Sequence, residues 1–179
     1  MSEGSLVQII VDGPVVGGFD PVGWRVEQIC SYFEADGLST ELVFPGVRSL
    51  FDASESGSAT FPKDCDIGHM FDIGATADVQ VVSSPGIASR WAALSKTYSK
   101  KAHLVVDAGA LATLARPPLP DQVFGEGEVD GNATLVAKRR ERDQLLLELA
   151  DEVWARSEKE ALHVLALNSK AFVKVMEPT

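Results

Sequence analysis

Cysteine is scarce in this sequence. Cys30 and Cys65 are the only two in 179 residues, and their separation offers no close metal-ligand spacing. A disulfide framework and a thiolate metal site are therefore not expected, and two reduced thiols in an intracellular protein are. Cations are outnumbered as well: 16 Lys and Arg stand against 26 Asp and Glu, for a net charge of −10. That balance argues against a surface that coats itself in nucleic acid through a general basic field, while leaving room for a local basic patch. No apolar run approaches the roughly 20 residues of a membrane helix, so no membrane partner is expected. The opening Met1-Ser2-Glu3-Gly4-Ser5 is short, polar and acidic. It resembles neither a signal nor a transit peptide, and a cytoplasmic or nuclear address follows as the expectation.

What is present is a run of apolar strands. Leu6 to Val11 is nearly continuous, rich in β-branched residues and closed by Asp12-Gly13. A run of that kind suits a strand buried on both faces of a parallel sheet. After the turn Gly13–Gly18, Asp20 and Pro21 open a helix running to about Asp36, with Val22, Val26, Ile29, Tyr32 and Phe33 on one face and Gly37 as its stop. Ser39–Phe44 reads as the second strand. Ser54–Thr60 reads as a surface loop and Asp64–Ala75 as a modest helix. Val79–Val82 and His103–Val106 read as further strands, separated by a helix over Ile87–Lys101 and followed by a brief one over Ala110–Ala115.

The last third differs. Gly125–Gly131 is an acidic loop, and Asn132 can cap a long helix from Ala133 to about Ser157. Its stretch Lys138–Gln144 shows no apolar face and suits a solvated one, with Glu141 and Asp143 as counter-ions. Leu145, Leu146, Leu149, Val153 and Trp154 then restore an apolar stripe. Leu162–Leu167 is short enough to be strand or helix, with the strand favoured. The expected fold is α/β: a three-layer, mostly parallel Rossmann-like sheet of four to five strands with flanking helices, plus a long C-terminal helix. Residues 1–125 are expected to form this domain, and 126–179 to pack on it or extend it.

The chemistry gathers at strand ends. Asp12 follows the first strand and Asp107 the fourth. If those strands are neighbours, the two acids converge at one edge and can hold Mg²⁺ or Mn²⁺, which prefer oxygen ligands. The alternative is that each acid caps a turn or helix. The glycine turn lacks the Gly-Lys-Ser/Thr ending of a phosphate loop and the spacing of a dinucleotide fingerprint, so a Rossmann-like binder of a small nucleotide there is the least favoured alternative. His69, His103 and His163 belong to no nucleophile motif and are expected to be structural. Two basic clusters suit an RNA backbone: Lys96, Lys100 and Lys101, and Lys138, Arg139, Arg140 and Arg142. The helix bearing the second also admits a protein partner.

Ile10-Val11-Asp12-Gly13, Phe19, Gly23, Tyr32-Phe33 with Gly37, Val43-Phe44-Pro45 and Arg48 resemble the NYN branch of the PIN-like ribonuclease superfamily, the regnase-type domain. The likeness continues more weakly through Trp91–Ser99 and Val105-Val106-Asp107, covering roughly residues 6 to 115. It implies a metal-dependent endoribonuclease whose catalytic, metal-holding acids would be Asp12 and Asp107. Pro14 and Val15 stand where the family has a small residue and Asn, and Ala88-Ser89-Arg90 where it has acids. The resemblance therefore implies either an active enzyme with an incomplete acidic cluster or a degenerate domain that binds RNA or protein without cleaving.

Overall fold

A computed structural model describes residues 5–11, 21–43, 77–115 and 129–176 of the chain. Its centre is a parallel sheet. Strands β1 (Leu6–Ile10), β2 (Ser39–Val43), β3 (Val79–Val82), β4 (His103–Asp107), β5 (Glu152–Ala155) and β6 (Val173–Val175) lie in the order β2-β1-β3-β4-β5-β6. Every pairing is parallel. Parallel neighbours require crossovers. Helix α1 (Pro21–Ala35) joins β1 to β2, and α2 (Ala88–Tyr98) joins β3 to β4. After β4 come a 3₁₀ turn (Ala108–Ala110), the short α3 (Ala112–Ala115) and the long α4 (Val129–Leu149), which leads to β5. Helix α5 (Glu158–Leu167) joins β5 to β6.

The strand order places the helices. A right-handed crossover from β1 to β2 moves one way along the sheet, and those from β3 onward move the other way, so their helices fall on opposite faces. On one face Val26, Ile29 and Phe33 of α1 meet Val7, Ile9, Val81, Val105 and Trp154. On the other, Trp91 and Ala92 of α2, Leu146 and Leu147 of α4 and Val164 of α5 meet Ile10, Val82, Leu104, Val106 and Val153. Of the stripe read from α1, Val26, Ile29 and Phe33 are buried and Tyr32 packs partly buried beside them. Helix α1 stops as expected at Gly37, whose φ of +74° suits glycine. There the Leu38 N–H donates to the Phe33 carbonyl at 3.0 Å and the Gly37 N–H to that of Glu34 at 2.9 Å.

A polar row crosses the second core. The Ser95 hydroxyl donates to Gln80 Oε1 at 2.5 Å, Gln80 Nε2 to Gln8 Oε1 at 3.0 Å, and Gln8 Nε2 to Glu41 Oε2 at 3.2 Å. Gln8 pairs in register with both Glu41 and Gln80. Buried amides need partners, and a one-residue slip would turn these side chains onto the other face. The row therefore pins the register of three strands.

The C-terminal third departs from expectation. The long helix runs Val129–Leu149 rather than from Ala133 to Ser157, so Asn132 lies inside it. Val153 and Trp154 belong to β5, paired with Val106 and Asp107 of β4. Their apparent helical spacing continues across a break at Ala150-Asp151, where the Asp151 N–H donates to the Leu104 carbonyl at 2.9 Å and starts the ladder. Leu162–Leu167 is helix, not strand, because Ser157 caps α5 by accepting from the Glu160 N–H. With β5 and β6 in place the sheet has six strands among the described residues, not four or five, and these last two extend it beyond β4. Helix α2 is shorter at both ends than Ile87–Lys101, and β4 runs through Asp107. The expected glycine turn, Phe44, the loop Ser54–Thr60, the helix Asp64–Ala75, Cys65 and His69 lie outside the described residues. Among the described residues no helix is long and apolar enough to cross a membrane.

Candidate functional site

In an open parallel sheet, ligands gather outside the carboxyl ends of the strands, at the point where the strand order reverses. Here that point lies between β1 and β3. The Ser83 N–H donates to the Ile10 carbonyl at 3.0 Å, so these two ends stay joined. Asp12 comes one residue after Val11 and lies outside the described residues. Asp107 ends β4, but β4 is not the neighbour of β1. Strand β3 intervenes, which separates the two strands by about 10 Å. The condition for direct convergence of Asp12 and Asp107 is therefore not met by adjacency.

Asp107 shares the sheet face of Val105 and turns toward α1. Its side chain is 1% exposed and that of Arg25 is 4% exposed. Arg25 Nε donates to Asp107 Oδ1 at 2.8 Å, and Nη2 lies 2.7 Å from the same oxygen. The Nη2 contact is ionic, without an aligned hydrogen bond. Ser83 donates to Oδ2 at 3.4 Å. Burial pushes the Asp107 carboxyl above its ordinary range, against the pull of Arg25. Gly109 stands directly over this carboxylate, because a Cβ there would meet Oδ2 at 2.9 Å. One strand further on, Arg156 and Glu160 form a second pair, with Nε 2.9 Å from Oε1. Burial raises the Glu160 carboxyl, but the hydrogen bonds from the Arg156 side chain and backbone outweigh it and leave it below its usual value.

Both of these carboxylates are thus held by guanidinium groups. A divalent cation needs several oxygens free to face it. Among the described residues no group of three or more His, Cys, Asp or Glu side chains is placed to hold one. With Arg25 on Oδ1, Asp107 keeps only Oδ2 for an ion, and one such oxygen among the described residues does not make a metal centre.

The other face of the same edge is cationic. Helix α4 feeds β5 at the amino edge, so its N-terminal half overhangs the carboxyl edge. Leu135, Lys138, Arg139 and Arg142 follow the i, i+3, i+4, i+7 pattern of a single helix face. Together with Pro85, Gly86 and Ala112 they line a cavity of about 390 Å³. Arg142 is braced by Nε donating to Ser89 Oγ at 2.8 Å. Asp143, expected as a counter-ion for this cluster, is fully buried and faces elsewhere. It accepts from the Ala112 N–H at 2.9 Å, the Thr113 N–H at 2.8 Å and the Thr113 hydroxyl at 2.7 Å. Arg140 is exposed and does not line the cavity. His163 is partnered, its Nε2 lying 2.8 Å from Thr113 Oγ. His103 is half-exposed, not buried, beside Glu152.

Lys96, Lys100 and Lys101 sit at the end of α2 and before β4, at the amino edge, opposite the cavity. Lys96 is paired with Asp151. The two basic clusters do not converge. Sequence reasoning missed Arg25, although it falls on the apolar stripe of α1, four residues before Ile29. A guanidinium there has to find a buried anion. No protein-family model matches the chain, and no curated protein matches it. The fold defines its class: an α/β protein with a six-stranded parallel, Rossmann-like sheet.

Proposed function

We propose that the chain is a degenerate, non-catalytic PIN-like module of the NYN type that binds RNA through the α4 face. The observation carrying this reading is the stripe Lys138, Arg139 and Arg142 over a cavity at the carboxyl edge. Among the described residues no carboxylate pairs with Lys138 or Arg139. Guanidinium groups concentrated in one concavity of a chain with net charge −10 suit a phosphate backbone. The Arg25–Asp107 pair supports the non-catalytic half. The guanidinium supplies the positive charge that a divalent ion would bring in an enzyme of this class, and it leaves Asp107 without a free ligating oxygen at Oδ1.

Fluorescence anisotropy with a labelled single-stranded RNA tests the reading. Three phosphate contacts give a slope of about −2 for log affinity against log salt. Lys138→Glu with Arg139→Glu removes the binding while the fold persists. Binding that survives this reversal overturns the α4 site. Incubation with Mn²⁺ leaves the RNA intact, and cleavage that disappears in Asp107→Asn overturns the non-catalytic reading.

A further inference from the structure

We infer that the α4 cavity is a seat for a nucleotide phosphomonoester, supplied by a free nucleoside monophosphate or by the phosphorylated end of an RNA. The inference rests on the RNA-binding reading and narrows it from a backbone to one kind of group. Four features of the cavity carry it.

The first is shape. The seat is a concavity between the β3–α2 loop, the start of α3 and the face of α4, of about 390 Å³, a size suited to a single small ligand. A strand passing across a surface meets a flat row of cations, whereas a chain end can enter a pocket. The second is charge. Three cations from one helix face look into the same space. A diester offers one negative charge, but a terminal phosphate carries about −1.5 to −2 and three strong acceptor oxygens. Its charge and acceptor number match Lys138, Arg139 and Arg142 better than a diester does.

The third is the remainder of the lining. Pro85, Ala112 and Leu135 are apolar, and Leu135 is 47% exposed. They give a sugar or base a surface beside the phosphate seat. The fourth is preorganisation. Arg142 is fixed by Ser89, and Ala112 is fixed by Asp143, so two walls are set before a ligand arrives. Among the described residues, no acidic side chain lines the cavity.

Three versions of one labelled RNA oligomer test the assignment, ending in a 5′-phosphate, a 3′-phosphate or hydroxyls only. One of the phosphorylated ends binds about tenfold tighter or more than the hydroxyl ends, as an additional charge-assisted contact predicts. Arg139→Gln removes this preference. Adenosine monophosphate displaces the oligomer if a free nucleotide is the source. Failure to displace, with the end preference kept, assigns the RNA end. Equal affinity for all three ends overturns the phosphomonoester seat and leaves RNA binding standing. Saturable binding of the monophosphate with no affinity for any oligomer overturns the RNA reading and leaves the seat.

Discussion

Replacing Arg25 with methionine removes a buried cation and keeps most of the side-chain volume. Asp107 would then be a carboxylate 1% exposed, with Ser83 at 3.4 Å as its remaining hydrogen-bond donor among the described side chains. Breaking one side of a buried pair costs about 3–5 kcal/mol, because the uncompensated charge stays behind. With a urea dependence of about 2 kcal/mol per molar, that loss lowers the unfolding midpoint by roughly 2 M. The pH dependence has a definite sign. Burial already raises the native pKa of Asp107 above the ordinary carboxylate value of 3.8. A group raised on folding contributes stability that is full below the unfolded pKa and is lost as pH rises through the native one. Without Arg25 the native value climbs further and the window extends upward. The variant's deficit is therefore largest near neutrality and shrinks in acid, as Asp107 takes up a proton. Adding Asp107→Asn to Arg25→Met returns much of the loss, since neither charge remains to be solvated. Urea titrations of the two variants between pH 5 and 8 measure all of this. A loss below about 1 kcal/mol with no pH trend refutes the reasoning, as does a double variant no more stable than the single one.

Gly109→Ala brings a Cβ to 2.9 Å from Asp107 Oδ2, and because Arg25 holds that carboxylate, crowding costs about 1–3 kcal/mol in chemical denaturation; in the Arg25→Met background the cost falls. Asp143→Ala strips the Ala112 and Thr113 N–H groups of their acceptor. It destabilises by about 2–3 kcal/mol and lowers hydrogen-exchange protection at those two amides. Asp151 has the opposite pH behaviour to Asp107. Its partial burial raises its carboxyl, but hydrogen bonds from Lys96 and the Leu104 N–H outweigh this and leave it below 3.8. Its contribution is present above that value and is lost as pH falls through the depressed one. Because the side chain is 38% exposed, solvent screening limits the effect: Lys96→Ala costs under about 1 kcal/mol at pH 7, and the difference disappears once the pH falls below that depressed value.

Strands β1, β3 and β4 were legible because each is a short, mostly apolar run that the sheet buries along most of its length, and the partly buried edge strand β2 was legible from its place between the Gly37 stop and Pro45-Gly46. The last two were not. Leu145, Leu146, Leu149, Val153 and Trp154 keep a helical spacing, so periodicity carries the helix past Leu149. What ends it is a long-range event, the pairing of Val153 and Trp154 with Val106 and Asp107, which no local window contains. Helix α5 was readable, since Ser157 and Glu160 stand at capping-box spacing before an apolar run, but the run Leu162–Leu167 alone favours neither state. At the site the same division holds. Asp107 stands out as an acid at a strand end; its partner stands out only when Arg25 is placed on the buried stripe of α1.

The cations of α4 are hard to explain by the helix itself. Lys138 and Arg142 are like charges at i, i+4, which weakens an isolated helix by about 0.2–0.5 kcal/mol. Both lie away from the last turn of Val129–Leu149, where a basic residue would complement the helix dipole. Arg139 has an acid at i+4, Asp143, but that carboxylate serves the N–H groups of Ala112 and Thr113 instead. Local stability would be served by moving the charges or by freeing Asp143 to meet them. Neither arrangement occurs, and the face that results is the one turned onto the cavity between the β3–α2 loop and Ala112. On the opposite sheet face Arg25 meets Asp107 inside the protein and its charge is answered. Among the described residues the charges of Lys138 and Arg139 meet no carboxylate, and they sit at the edge where a strand-end ligand arrives in open parallel sheets, which is what the proposed phosphate contact needs.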